Sequence, residues 1–378
     1  MKAKFILPAC CLILLFIASC KKEDKVDPAP TPLKDDLPEF YKAAVAGEWG
    51  ILLPEYKVIA NSTNKISMPQ DLDFNPKKTS ELWIINKGTE GTGSSTVIFT
   101  NAGETDQTHK YVKDGNAYHF MSLTSALAFS ENGNWGSSPN VLDANHSGGR
   151  YTGPTLWSSD LNIYGIIGNP PTQKTNGSHL DMVHQSPYGM GIASEKDNVF
   201  WVFDGYYNNI IRYDFAADHG PGNDYHDDAK LRRYSEVIVK RDAAVPSHLI
   251  LDKDKKWLYI VDGGNKRILR MDITTGSVLS SLPPVNEKLA EYSKMSGVTW
   301  EVFYDQNLQK PCGIEIKDNR LFVSDYQTGE IICIDINTKK ELARINTGSP
   351  GIMGIKINNG KIWYVNATSN TLMTVNPK

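Results

Sequence analysis

The stretch from Pro311 to Gly348 sets four short β-prone runs within fewer than 40 residues. Gly313–Ile316, Arg320–Ser324, Ile331–Asp335 and Leu342–Asn346 are each rich in Ile, Val, Leu or Phe. Asp-Asn, Gln-Thr-Gly and Asn-Thr-Lys turn signals separate them. Four antiparallel strands at this spacing form one blade of a β-propeller.

The unit recurs. First-strand segments align at Pro69–Phe74, Thr124–Phe129, Tyr188–Ala193, Pro246–Leu251, Pro311–Ile316 and Gly351–Ile357. Each pairs a small or polar residue with an apolar alternation, and the small residue allows strands to approach closely at a crowded axis. Second strands follow at Leu82–Asn86, Phe200–Asp204, Leu258–Asp262, Leu321–Asp325 and Ile362–Asn366. Each ends in Asp or Asn, whose side chain can bond the backbone of the next turn. Third strands follow at Ile210–Asp214, Ile268–Asp272 and Ile331–Asp335. The second copy is the weakest, with a poor second strand near Asn134–Ser138.

The recurring pattern, Pro-x-Gly-Ile, then Val-x-Asp, then an Ile run closing on Asp, resembles the NHL-repeat family of six-bladed propellers over roughly Pro69 to Lys378. The resemblance implies an all-β, six-bladed β-propeller. The last copy supplies three strands before the sequence ends, while Tyr56–Ala60 is a strand with no neighbouring hairpin partner. That strand is expected to complete the last blade and close the ring, removing a bare sheet edge.

Residues 1–20 read as a signal segment. Lys2 and Lys4 precede an apolar run, Phe5 to Ile17, too short to span a bilayer as a mature helix. The run ends in Ile17-Ala18-Ser19-Cys20, which resembles the lipobox of bacterial lipoproteins and implies acylation of Cys20. Residues 21–37 are charged and proline-bearing, and read as a tether. Residues 38–68 hold a short helix (Pro38 to Gly47) and the closing strand, and 69–378 the propeller. This organisation places the protein in the bacterial cell envelope, anchored through lipid on the periplasmic or surface face of the outer membrane. Cys312 and Cys333 fall on non-adjacent strands and read as two buried thiols. A formal net charge of −3 gives no basis for binding nucleic acid, and the chain reads as a monomer.

Strand direction sorts the loops into two faces. Loops entering a blade, or joining its second and third strands, lie on one face, here called the top. Long insertions fall there: Trp135–Pro154 with His146; Ile166–Pro187 with His179, Asp181 and His184; and Leu282–Lys310 with Glu287, Glu291, Tyr292, Trp300 and Glu301. His119 and His184 share an offset from their blade starts, and His248 begins the next blade. Three imidazoles on one rim suit Zn or another divalent metal with an open position for ligand. The segments around His119 and His248 are similar to histidine segments of the peptidylglycine amidating lyase family, whose propeller carries three zinc-binding histidines; His184 joins by offset alone. His119, His184 and His248 are therefore expected within roughly 5 Å of one another around the axis. Asp181 is a candidate partner behind a ligand, and His109, His219 and His226 are expected elsewhere. The Asp218–Asp228 loop, placed on the bottom face, has oxygen ligands suited to structural Ca²⁺. Trp83, Trp201, Trp257 and Trp363 read as blade packing. Neither a nucleophile elbow nor a phosphate loop nor a CxxC pair is present. Two functions follow: binding of a small molecule or peptide in a central top-face pocket, or metal-dependent lyase or hydrolase chemistry.

Overall fold

The computed structural model describes residues 54–166, 176–223 and 225–376. The signal segment, Cys20, the tether and the expected helix at Pro38–Gly47 lie outside them. Within them the chain forms six sheets arranged as a six-bladed propeller.

Strand β1 (Glu55–Ala60) precedes the first blade. Blade one is β2 (Pro69–Phe74), β3 (Glu81–Thr89), β4 (Gly93–Thr100) and β5 (Thr108–Val112). A single helical turn, α1 (Ala117–Phe120), leads to blade two: β6 (Ala126–Phe129), β7 (Trp135–Ser138), β8 (Thr155–Trp157) and β9 (Asp181–Met182). Blade three is β10 (Gly189–Lys196), β11 (Val199–Asp204), β12 (Asn209–Asp214) and β13 (Lys230–Tyr234). Blade four starts with β14 (Leu249–Asp252), β15 (Trp257–Asp262) and β16 (Arg267–Asp272). The chain then leaves to form a hairpin, β17 (Ser277–Ser281) and β18 (Glu291–Ser296), and returns as the fourth strand, β19 (Trp300–Tyr304). Blade five is β20 (Pro311–Lys317), β21 (Arg320–Asp325), β22 (Glu330–Asp335) and β23 (Glu341–Asn346). Blade six is β24 (Ile352–Asn358), β25 (Lys361–Asn366) and β26 (Thr371–Asn376), with β1 antiparallel to β26 as its fourth strand. The expected closing strand is thus the one that closes the ring.

The hairpin departs from the simple repeat. β18 runs parallel to β13, so blade three becomes a six-stranded sheet, ordered β10-β11-β12-β13-β18-β17. Leu282–Lys310 is therefore not a plain loop before blade five: it holds a borrowed strand and blade four's own last strand. The S-K-M-S run is poor in apolar residues, and W-E-V-F-Y, though apolar, lacks the small-residue start of the repeat, so a pattern search passes over both.

The core is divided into layers between neighbouring sheets. Trp83, Trp135, Trp157 and Tyr164 fill the layer between blades one and two, each ring removing roughly 150–250 Å² from water. Trp83, Trp201 and Trp363 are packing residues as expected, and Trp257 lies under the Arg270 guanidinium. The terminal Asp or Asn of three of the five second strands acts as expected, whereas Asn86 and Asp262 accept from the amides of Ser67 and Lys240 in other segments. Asp204 accepts from the Tyr206 and Tyr207 amides, Asp325 from Gln327 and Thr328, and Asn366 from Thr368 and Ser369.

The six inner strands, β2, β6, β10, β14, β20 and β24, touch in a closed ring. At one equivalent position they carry or adjoin Asp71, Ala126, Gly191, His248, Gly313 and Gly354. A Cβ at Gly191 would sit 2.2 Å from the Ser247 carbonyl oxygen, and one at Gly313 would sit 2.4 Å from that of Met353. Only glycine allows that approach.

Candidate metal centre on the blade-two rim

Four of the eight histidines line one cleft. His119, His179, His184 and His226 surround a volume of about 320 Å³ together with Tyr151 and three asparagines, Asn116, Asn145 and Asn176. The cleft lies at the outer edge of blade two, away from the axis. α1 carries His119 as the chain passes from blade one's outer strand towards blade two. His179 and His184 flank β9, the outermost strand of blade two.

Each imidazole is oriented by a hydrogen bond through one nitrogen. His119 Nδ1 donates to the Ala144 carbonyl oxygen, 3.0 Å away. His184 Nδ1 donates to Glu287, 3.1 Å away, and His226 Nδ1 to Asp181, 3.0 Å away. A neutral ring that donates through Nδ1 carries its lone pair on Nε2, the arrangement of metal-binding histidines backed by a carboxylate or carbonyl. The His119 and His184 ring centres are 5.7 Å apart, and those of His184 and His226 6.0 Å. Two imidazoles bound to one tetrahedral ion at ~2.0–2.1 Å have centres about 5–5.5 Å apart, so each of these two pairs lies close to the spacing a shared ion requires.

His184, His226 and Glu287 also offer one atom each within 4.8 Å of the others. The Glu287 carboxylate is committed, however. It accepts from the His184 amide at 3.0 Å, from His184 Nδ1, and from the Gln185 side-chain amide. Its side chain is 2% exposed. Glu287 therefore orients His184 within the cleft that His119 and His226 also line.

Three long segments assemble the cleft. The β7–β8 loop brings the Ala144 carbonyl to His119 and lays Tyr151 flat on His184, with ring centres 3.6 Å apart and planes 9° apart. The β12–β13 loop starts at the bottom face, where the Phe215 amide bonds the Asn198 carbonyl. It then climbs the outside until the Gly222 amide meets the His179 carbonyl. The β17–β18 connection brings Glu287 across blade three. Burial pushes the Asp181 carboxyl upward, although its bond to His226 opposes this. His179 is stacked on Phe120 at 3.7 Å and donates Nε2–H to the Asn223 carbonyl. Burial lowers its pKa to about 3, so this ring stays neutral.

The expected trio is only partly assembled. His119 and His184 meet, but His248 does not join them. It begins blade four's inner strand, and its amide bonds the Cys312 carbonyl. Its Nε2 donates to the Ser125 carbonyl at 3.1 Å, and its Nδ1 lies 3.5 Å from Asp71. Blades one and four face each other across the ring, so His248 spans the axis and plugs it. Its place at the start of the next blade suggests a shared rim, but a residue at the start of an inner strand points to the axis, whereas His119 and His184 sit beyond outer strands. His226, expected elsewhere, is in the cleft, because its loop leaves the bottom face. Asp181 does back a ring, that of His226. His109 stacks on Phe99 in an outer strand, and His219 pairs with Asp228 at 2.9 Å. His146 bonds Glu90 and the Tyr118 carbonyl.

No protein-family model matches the chain, and no curated protein matches it. Solved structures share its fold. It is similar to an auxiliary nutrient binding protein from Bacteroides ovatus (10% identity, 86% of this chain and 77% of that one, TM-score 0.54). It is also similar to a luciferin-regenerating enzyme (12%, 85% and 95%, 0.52) and to an auxiliary nutrient binding protein from Bacteroides thetaiotaomicron (11%, 81% and 68%, 0.50). At these identities the likeness is one of fold.

Proposed function

We propose that this propeller binds a small molecule or peptide in the blade-two cleft through a divalent metal, zinc foremost, held by His119, His184 and His226. The observation that carries the reading is that three imidazoles of one cleft, with His184 5.7 and 6.0 Å from its two neighbours, are each fixed through Nδ1 by a separate acceptor, Ala144, Glu287 or Asp181. Three protein nitrogens leave a coordination position for a ligand. The asparagines around the cleft offer both donors and acceptors to it. The similar propellers described as nutrient binding support a ligand-binding role. With the Cys20 lipobox, the reading is an envelope protein held to the membrane by lipid.

A second reading, metal-dependent lyase or hydrolase chemistry, is favoured by Tyr151. Its phenol belongs to the cleft and its ring lies against a proposed ligand, where it could hold or move a proton. The metal would polarise a carbonyl or activate water.

Metal analysis of the purified protein is expected to give one equivalent of divalent transition metal. His184→Ala or His226→Ala should lose it, Asp181→Asn should weaken it by about 10–100-fold, and His248→Ala should keep it. A metal-free protein that takes up no zinc would end the reading.

A further inference from the structure

A second cavity, of about 310 Å³, lies in the central channel and opens on the bottom face through the turns after β2, β6 and β14. Two residues below the ring of Asp71 and His248, the inner strands carry Asp73, Ala128, Ala193, Ile250, Glu315 and Lys356. The repeat thus divides the channel wall in two. Blades six and one supply Lys356 and Asp73 to the cavity, while blade five places Glu315 behind Lys356, outside the lining. Blades two, three and four supply Ala128, Ala193 and Ile250. Phe74 and Phe129 extend the apolar side towards the mouth.

The charged wall presents both signs within a short span. Lys356 Nζ is 3.6 Å from Asp73 Oδ1 and 3.2 Å from Glu315 Oε2. Asp73 is held in place by the Phe74 and Phe129 amides, each 2.9 Å away, and Glu315 by the Ile316 amide at 3.0 Å. The groups are therefore pre-oriented. Lys356 stays charged although burial opposes it, because Asp73 and Glu315 hold its proton. At the mouth, Lys253 and Glu131 pair at 2.9 Å, again with both signs.

We propose that this lower channel is a binding site for a small zwitterion, a free α-amino acid with an aliphatic side chain. Its carboxylate would meet Lys356 and its ammonium Asp73, while the side chain lies on Ala128, Ala193 and Ile250. The cavity lining offers one charge of each sign on this side, so a simple anion would leave Asp73, and a simple amine Lys356, without an opposite charge on the ligand. The volume is at the lower end of ligand pockets, roughly 300–1,000 Å³, which suits one amino acid and excludes a folded peptide. The site is separate from the blade-two cleft and shares no residue with it.

The test compares L-leucine, isoamylamine and isovalerate, which share the branched chain and differ in charge, by calorimetry and saturation-transfer NMR on the purified protein. Leucine should bind, with each single-charge analogue at least about tenfold weaker, because an unmatched buried charge remains in either case. Ala128→Leu, which fills the apolar wall, and Asp73→Asn, which removes the ammonium partner, should each abolish leucine binding while zinc uptake at the cleft is retained. Equal binding of leucine and an analogue, no binding of leucine, or wild-type binding by a folded Ala128→Leu protein would overturn the proposal.

Discussion

At the scale of residues, burial separates inert from reactive groups. Cys312 and Cys333 are free and buried. Burial raises both thiols, that of Cys333 to about 12, so neither forms appreciable thiolate at pH 8. The native protein should resist a maleimide or disulfide reagent at that pH, and both thiols should react after denaturation; rapid labelling of the native fold would contradict this burial. That these cysteines stay unpaired was legible in the sequence, because strand position alone kept them apart. The donor set was not. An imidazole's identity is visible in sequence, but its direction depends on its acceptor. The Ala144 carbonyl, Asp181 and Glu287 lie 25, 45 and 103 residues from the histidines they orient.

At the scale of elements, β1 carries the closure of the ring. Ala60 is buried, and Ile59 packs against the cluster shared by blades six and one. Its backbone pairs with β26 over Glu55–Ala60. Deleting residues through Ala60 should lower stability by more than ~3 kcal/mol, measured as the shift in denaturation midpoint, because blade six is left with a bare edge. Deleting residues 21–36 should leave the midpoint unchanged; equal losses from the two deletions would show that β1 is not needed for closure. This element was readable because its apolar alternation had no local partner and one blade lacked a strand. The β17–β18 hairpin was not readable. Ser277–Ser281 is exposed throughout, and an exposed strand has no buried face to impose an alternation on the sequence.

At the scale of the whole molecule, the same repeat that builds the fold distributes its chemistry. Small residues at the inner-strand starts bring six blades together, His248 and Asp71 fill the axis, and long segments from blades two, three and four carry the histidines and their acceptors to the perimeter. The fold was legible because it is set by short-range alternation repeated in phase; the cleft depends on how three loops turn outside the blades, which no repeat encodes. The lipobox gives a prediction on the same scale: Cys20→Ser should move the protein from the membrane fraction to the soluble one, or block its maturation. The most direct measurement is an anomalous difference map at the zinc absorption edge, from crystals of the protein grown with zinc. It should show one strong peak in the blade-two cleft, about 2.0–2.1 Å from Nε2 of His119, His184 and His226. A peak at His248 and Asp71, or none in the cleft, would contradict the account.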